Sequence, residues 1–308
     1  MRVLFVRREA TYRLSVPGAE IVEARPGEEP GGDFDALIGA RIPPEILDRY
    51  PSLRFVLIPF AGIPPQDLET VSKRPRLTLL NSHYNAPYVA EHAFSMLLAL
   101  AKKIVLADRR LRLGDWTVRN EQSMTLRGAT CGIVGFGAVG RRIDRLAQAF
   151  EMRTRAVRRA GDGEIPGAEG LPDLLRQSDA VFISAPLTAD TRGMIGKEEL
   201  ALLKPGAALV NVARADIVQE EPLYLALREN RISAAIDAWY SYPGARDGRF
   251  HFPSRFPFHQ LDNVVLSPHR SAHAEEAERA RMEDLARQIG DLASGRPPSN
   301  VVDCSRGY

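Results

Sequence analysis

Two groups of residues in this chain have types and spacings that could do chemistry. The first is Gly135-Phe136-Gly137-Ala138-Val139-Gly140, a GxGxxG run that follows the apolar pair Ile133-Val134 and opens a helix-like stretch over 141–150. In that setting the first glycine permits a tight turn and the second lets backbone approach a pyrophosphate. The third allows close helix–strand packing. The helix start, through Ala138 and Val139, offers free N–H groups to phosphate oxygens. A dinucleotide site is the reading; the alternative is a glycine-rich turn without a ligand. The second group is Arg158-Arg159, at the end of the strand expected over 152–157. Arg158 lies 18 positions past Gly140, near the spacing of about 20 at which an acid meets the adenosine ribose. An acid there repels a 2′-phosphate, whereas an arginine grips one bidentately. NADP(H) is therefore favoured and NAD(H) stays possible, unless both arginines are solvated surface residues.

The elements that must position these groups are read from apolar runs. Short runs at 3–6, 36–38, 55–58 and 77–80, with a helical pattern over 43–50, alternate as in a parallel α/β sheet. A long helix is expected over 89–105. A second α/β series begins at Cys131, with runs at 131–134, 180–183, 207–212, 234–236 and 264–266. A charged helical stretch over 274–292 closes the chain and could return to the first series. With 308 residues, two domains are expected.

Composition narrows the class. Hydrophobic residues make up 44% and charged residues 26%, and the net charge is +2, which is ordinary for a globular chain. The basic residues are dispersed, so no nucleic acid is expected as a partner. The apolar run at the N-terminus is too short for a secretory core or a membrane span. Cys131 and Cys304 fit neither a disulfide framework nor a metal-ligand spacing. No membrane and no metal are expected, and the location is read as cytoplasmic.

Further motifs bring a resemblance. The segment 184–195 contains Ala185-Pro186-Leu187-Thr188 and Thr191-Arg192-Gly193, a PLTxxTxG pattern. Asn211-Val212-Ala213-Arg214 is an NxAR. Ala234-Ala235-Ile236-Asp237-Ala238-Trp239 ends a strand, and Ser267-Pro268-His269 ends another. In this order, and after Val89-Ala90-Glu91-His92, the chain resembles the D-isomer-specific 2-hydroxyacid dehydrogenases from about Asn85 onward. The resemblance implies two Rossmann-like or flavodoxin-like α/β domains, the dinucleotide-binding domain (98–273) being inserted into a discontinuous substrate domain (1–97 and 274–308). It implies hydride transfer between NAD(P)H and a small 2-oxo acid. Arg214 would hold the carboxylate and the developing alkoxide, since a guanidinium stays charged and binds two oxygens in a plane. His269 would give the proton, since imidazole titrates near neutral pH. Asp237 would accept from the nicotinamide amide. Ala185, Pro186, Thr191, Val212 and Ala213 would line the cofactor. Ala61, Gly62 and Ile63 would offer backbone N–H groups to the substrate carboxylate, with Asn85 nearby. The helix after Val89 resembles the family's dimer contact, so a homodimer is expected. Taken singly, Arg214 reads as a surface ion-pair residue, His269 as a core histidine and Asp237 as a helix cap.

Three departures accompany the resemblance. Counting on from Asp237, the position of the family's catalytic glutamate holds Tyr242, which can orient an imidazole but cannot stabilise imidazolium as a carboxylate does. Tyr242 could instead pack its ring on Trp239, and Asp247 could replace the glutamate on another loop path. Pro64 stands where the carboxylate loop usually has an acid, and Ala215-Asp216 follow Arg214 where glycine is usual. Formate- or phosphite-type hydride transfer is therefore a rival, as is a dinucleotide-sensing binding protein like the family's co-repressors.

Overall fold

The computed structural model describes residues 1–7, 12–158, 170–244 and 250–308. It divides into two compact units, Met1–Asn85 with Ala274–Tyr308, and Ala86–His273. In the first unit β1 (Arg2–Val6), β2 (Glu20–Ala24), β3 (Ala36–Ile38), α1 (Pro44–Arg49), β4 (Phe55–Leu57), α2 (Pro65–Ser72) and β5 (Thr78–Leu80) follow in sequence. The strands are parallel in the order β2-β1-β3-β4-β5, the doubly wound order of flavodoxin-like sheets. Strand β2 is not among the expected ones. Its sequence, Glu-Ile-Val-Glu-Ala, occupies an edge and is mostly half-exposed, so it needs no continuous apolar run. Helix α2 is likewise additional. It begins at Pro65, where the missing N–H costs nothing because first-turn donors have no partner in the helix. Its buried Asp67 accepts the N–H groups of Arg41 and Ile42, each at 2.7 Å, and so fixes the turn after β3.

The second unit opens with α3 (Ala86–Ala101) and α4 (Ile104–Leu111). The single helix expected over 89–105 is broken at Lys103, which is left-handed at φ 53°. Helix α3 buries Val89, Ala93, Phe94 and Leu97 in the core of this unit. The unit boundary accordingly falls at Asn85/Ala86, whereas 97/98 would cut through the helix. Then come β6 (Thr130–Val134), α5 (Ala138–Ala149), β7 (Arg153–Val157), α6 (Leu171–Gln177), β8 (Ala180–Ile183), α7 (Lys197–Leu202), β9 (Ala208–Asn211), α8 (Glu220–Arg228), β10 (Ser233–Ile236) and β11 (Val264–Leu266). The parallel order is β11-β10-β9-β8-β6-β7. The chain winds one way from β6 to β7 and the other way from β8 onward. Ligands of such sheets bind outside the carboxyl ends of the strands at that switch point.

The last helix, α9 (Ala277–Ala293), returns to the first unit, where Met282, Leu285 and Ile289 pack with Val3, Phe5 and Ile38. No helix among the described residues is long and apolar enough to cross a membrane. Cys131 and Cys304 are free thiols.

Candidate active site

The glycine run lies at the switch point. Gly135 follows β6 at φ 96°, a region that L side chains rarely adopt. A Cβ on it would stand 2.4 Å from the backbone nitrogen of Ala185, just past β8. A Cβ on Gly140 would stand 2.2 Å from the carbonyl oxygen of Gly135, so α5 can approach β6 only with glycine there. Gly137 differs: a Cβ there would meet nothing within 4 Å. The turn is pinned from both sides. Gly135 N–H donates to Val157 O at 2.8 Å, and the Ser184 hydroxyl donates to Gly135 O at 2.7 Å. Among the described residues, the N–H groups of Ala138 and Val139 at the start of α5 meet no acceptor. Open space at the second glycine, bordered by free amide donors, fits a pyrophosphate. Arg158 directly follows Val157, whose carbonyl holds the turn; Arg159 lies outside the described residues. Thr191 knits the neighbouring segment, donating to Pro186 O at 2.7 Å and accepting from Thr188 N–H at 2.8 Å. Ala185, Val212 and Ala213 are buried.

Asp237, just past β10, is 0% exposed. One carboxylate oxygen accepts from the Ser267 hydroxyl at 2.5 Å and from Arg270 N–H at 2.9 Å; the other accepts from Ser271 N–H at 3.1 Å. Its oxygens hold the loop that carries His269. Burial alone would raise its pKa, but the donors from Ser267, Ser271 and Arg270 hold it below the usual carboxylate range. Because the carboxylate only accepts, Ser267 must spend its proton on it, and the His92 Nε2–H at 2.9 Å donates to Ser267 in turn.

The loop brings two of the expected residues together. The Tyr242 hydroxyl lies 2.7 Å from His269 Nδ1. The same oxygen accepts the N–H of Trp239 at 3.1 Å, and the indole of Trp239 donates to Ser267 O at 2.7 Å. Asp247 falls outside the described residues. Arg214 enters from the loop after β9, shaped by Asn211, whose side chain donates to Arg214 O at 3.1 Å and accepts from Ala213 N–H at 3.1 Å. Its guanidinium lies close enough to act on the charge of both His269 and Tyr242. Asp216 does not compete for it; that carboxylate pairs with Arg192. Ala61, Gly62, Ile63 and Asn85 belong to the first unit, the first three just after β4 and the last just before α3. Sequence reasoning missed Ser267, Ser271 and Asn211 as loop-shaping residues, although each sits inside or beside a quoted motif.

Comparison with known proteins identifies the family. The family model described as "D-isomer specific 2-hydroxyacid dehydrogenase, NAD binding domain" matches residues 94–271. The chain belongs to that family. It is 34% identical over 288 residues to the glyoxylate reductase of Pyrococcus furiosus, spanning 88% of this chain and 83% of the relative. It is 29% identical over 281 residues to the D-3-phosphoglycerate dehydrogenase of Methanocaldococcus jannaschii, covering 88% of this chain and 52% of that protein. A structure of a D-isomer specific 2-hydroxyacid dehydrogenase from Xanthobacter autotrophicus Py2, in complex with NADPH and MES, aligns with TM-score 0.80 at 25% identity, over 99% of each chain. Members of this family are NAD(P)-dependent oxidoreductases, and so is this 2-hydroxyacid dehydrogenase.

Tyr242 bears on the protonation of His269. With the phenol donating to Nδ1, neutral His269 carries its proton on Nε2. Imidazolium requires the phenol to turn its hydrogen away and accept from Nδ1–H beside the Trp239 N–H, so two donors share one uncharged oxygen. Burial, chiefly, holds the His269 pKa below its ordinary value; Asp237 opposes this, and the charges of Arg214 and His273 add to it. The sign is direct. Imidazolium exists below the depressed pKa and is lost as pH rises through it. With His269 as the proton donor that the family resemblance implies, reductive kcat/KM should fall with rising pH through a midpoint below about 6.5. Tyr242→Glu places a charge opposite the imidazolium and should move the midpoint upward by about one unit or more. Tyr242→Phe should not move it upward. Identical profiles in all three proteins would remove Tyr242 from the acid–base chemistry.

Proposed function

We propose that this dehydrogenase reduces small 2-oxo acids to D-2-hydroxy acids with NADP(H), Arg214 and His269 acting on the substrate. The observation that carries the reading is the pairing of His269 with Tyr242 on a loop within reach of the Arg214 charge. A bound reduced dinucleotide supplies the hydride for the carbonyl carbon. Arg214 binds the carboxylate and stabilises negative charge developing on the carbonyl oxygen. His269 gives that oxygen the Nε2 proton, and Tyr242 keeps the ring from rotating. In the first unit, the N–H groups of Ala61, Gly62 and Ile63 meet no acceptor among the described residues, which suits them to a carboxylate. Asn85 adds a side-chain amide. The similarity to glyoxylate reductase supports a compact substrate such as glyoxylate.

NADP(H) is favoured because Arg158 extends from the strand end whose carbonyl anchors Gly135. A relative of the same fold carries NADPH. Arg159 would reinforce it. We also propose a cytoplasmic homodimer. The contact expected on the helix over 89–105 falls on α3 and the first residues of α4. Half of α3 is buried within its own unit, whereas Ile104 and Val105 of α4, with Leu111, Leu113 and Trp116 further on, are exposed, Leu113 at 80% and Trp116 at 67%. These exposed apolar side chains are the surface assigned to the contact.

Arg158→Asp should weaken NADPH binding about ten- to a hundredfold and leave NADH binding less affected. Equal NADPH and NADH affinities in the parent would overturn the cofactor preference. In a panel of glyoxylate, hydroxypyruvate, pyruvate and bulkier 2-oxo acids, NADPH consumption should be fastest with the small ones. Arg214→Lys should lose both affinity and turnover, and His269→Ala about a hundredfold in turnover with cofactor affinity kept. Parental turnover in the histidine variant would favour the formate-like rival. Tight cofactor binding with no turnover in the parent would favour a sensor. By sedimentation the parent should be dimeric, and Leu113→Glu should shift it toward monomer.

A further inference from the structure

Asn81 stands immediately after β5 and is only 5% exposed. Its side-chain amide donates to the carbonyl oxygen of Ala61 at 2.9 Å. Its own backbone is clamped: its N–H donates to Asn300 O at 3.2 Å, and its carbonyl accepts from Gln288 Nε2, on α9, at 3.1 Å. The next residue, Ser82, donates its N–H to Phe60 O at 3.4 Å. Two successive carbonyls of the loop after β4, those of Phe60 and Ala61, are thus held toward the extension of β5. In a trans peptide the C=O and the following N–H point in opposite directions. Fixing the carbonyls of Phe60 and Ala61 on that side therefore aims the N–H groups of Ala61 and Gly62 away from it. Those are two of the N–H groups that meet no acceptor among the described residues.

We infer that Asn81 is a positioning residue for substrate recognition: by holding the Ala61 carbonyl it aims the Gly62 N–H at the substrate carboxylate, beside the Ala61 N–H that the Ser82 backbone sets. The inference rests on the reading of that loop as the carboxylate site. Asn81 itself touches no substrate. Releasing the Ala61 carbonyl lets that peptide rotate, and the loop loses the aimed Gly62 N–H without losing any of its own side chains. Affinity for a carboxylate substrate should then suffer far more than turnover at saturation, and an uncharged analogue should not notice the change.

The test compares glyoxylate with its methyl ester, using NADPH and the full chain. The parent should prefer the acid by a wide margin. Asn81→Asp keeps the shape and loses the donor. At neutral pH it should raise KM for glyoxylate about tenfold, with kcat changed less than threefold and the ester kinetics and NADPH affinity near parental. Normalised to the parent at each pH, its glyoxylate KM should recover as pH falls, because a protonated carboxyl regains a donor for the Ala61 carbonyl. Asn81→Ala should show the same KM defect without recovery, and it stands in if the aspartate variant does not fold. A parent that reduces the ester as readily as the acid, or reduces neither, removes the carboxylate-loop reading and this inference with it. A parent that prefers the acid, with an Asn81→Ala variant of parental KM, overturns the role of Asn81 alone. So does an equal loss on acid and ester, which marks general loss of structure.

Discussion

The loop that carries His269 depends on one buried carboxylate. Asp237 takes a hydroxyl and two consecutive backbone N–H groups from the chain on either side of His269. To present its N–H groups this way, the chain reverses at His269, which adopts φ 53°. A left-handed conformation costs an L-residue roughly 1–2 kcal/mol. Hydrogen bonds to a charged acceptor are worth about 1.5–3 kcal/mol each, so the pair from Arg270 and Ser271 outweighs the strain. The imidazole is thereby turned to meet Tyr242, and the Trp239 backbone and indole tie both partners to the end of β10. Every contact in this set lies within the second unit.

The same carboxylate also tempers the electrostatics. Its charge favours imidazolium, while burial and Arg214 disfavour it, and burial prevails. A glutamate in place of Tyr242 would reverse the balance. A neutral phenol leaves it standing, so the ring is oriented more firmly than it is charged. Asp216 pairs with Arg192; its charge still helps to keep the Tyr242 phenol protonated, and it is not among the charges that shift His269.

Local signals carried much of this. The glycine spacing, the apolar run before it and the strand-end motifs are short-range patterns, and they mark where backbone must turn or approach closely. The residue count from Asp237 to Tyr242 is equally local. What stayed hidden depends on contacts between distant segments. His92 reaches Ser267 across 175 positions and Ser267 reaches Asp237 across 30, and no periodicity encodes either. The edge strand β2 escaped notice because half-exposure removes its apolar signature, and α2 because its eight residues are too few to show a helical period. The break at Lys103 is a single left-handed residue in an otherwise helical pattern. Helical periodicity runs through it, which is why α3 and α4 read as one element.

The closure of the first unit by α9 has a consequence for synthesis. Asn81 and Gln288 are separated by 207 positions, so on the ribosome the clamp on Asn81 waits on the order of ten seconds for its partner. The inserted unit, Ala86–His273, is contiguous and can fold in that interval. The first sheet meanwhile has one face uncovered, with Val3, Phe5 and Ile38 waiting for Met282, Leu285 and Ile289. The first unit is thus the part of the chain whose core closes last, once α9 has been made.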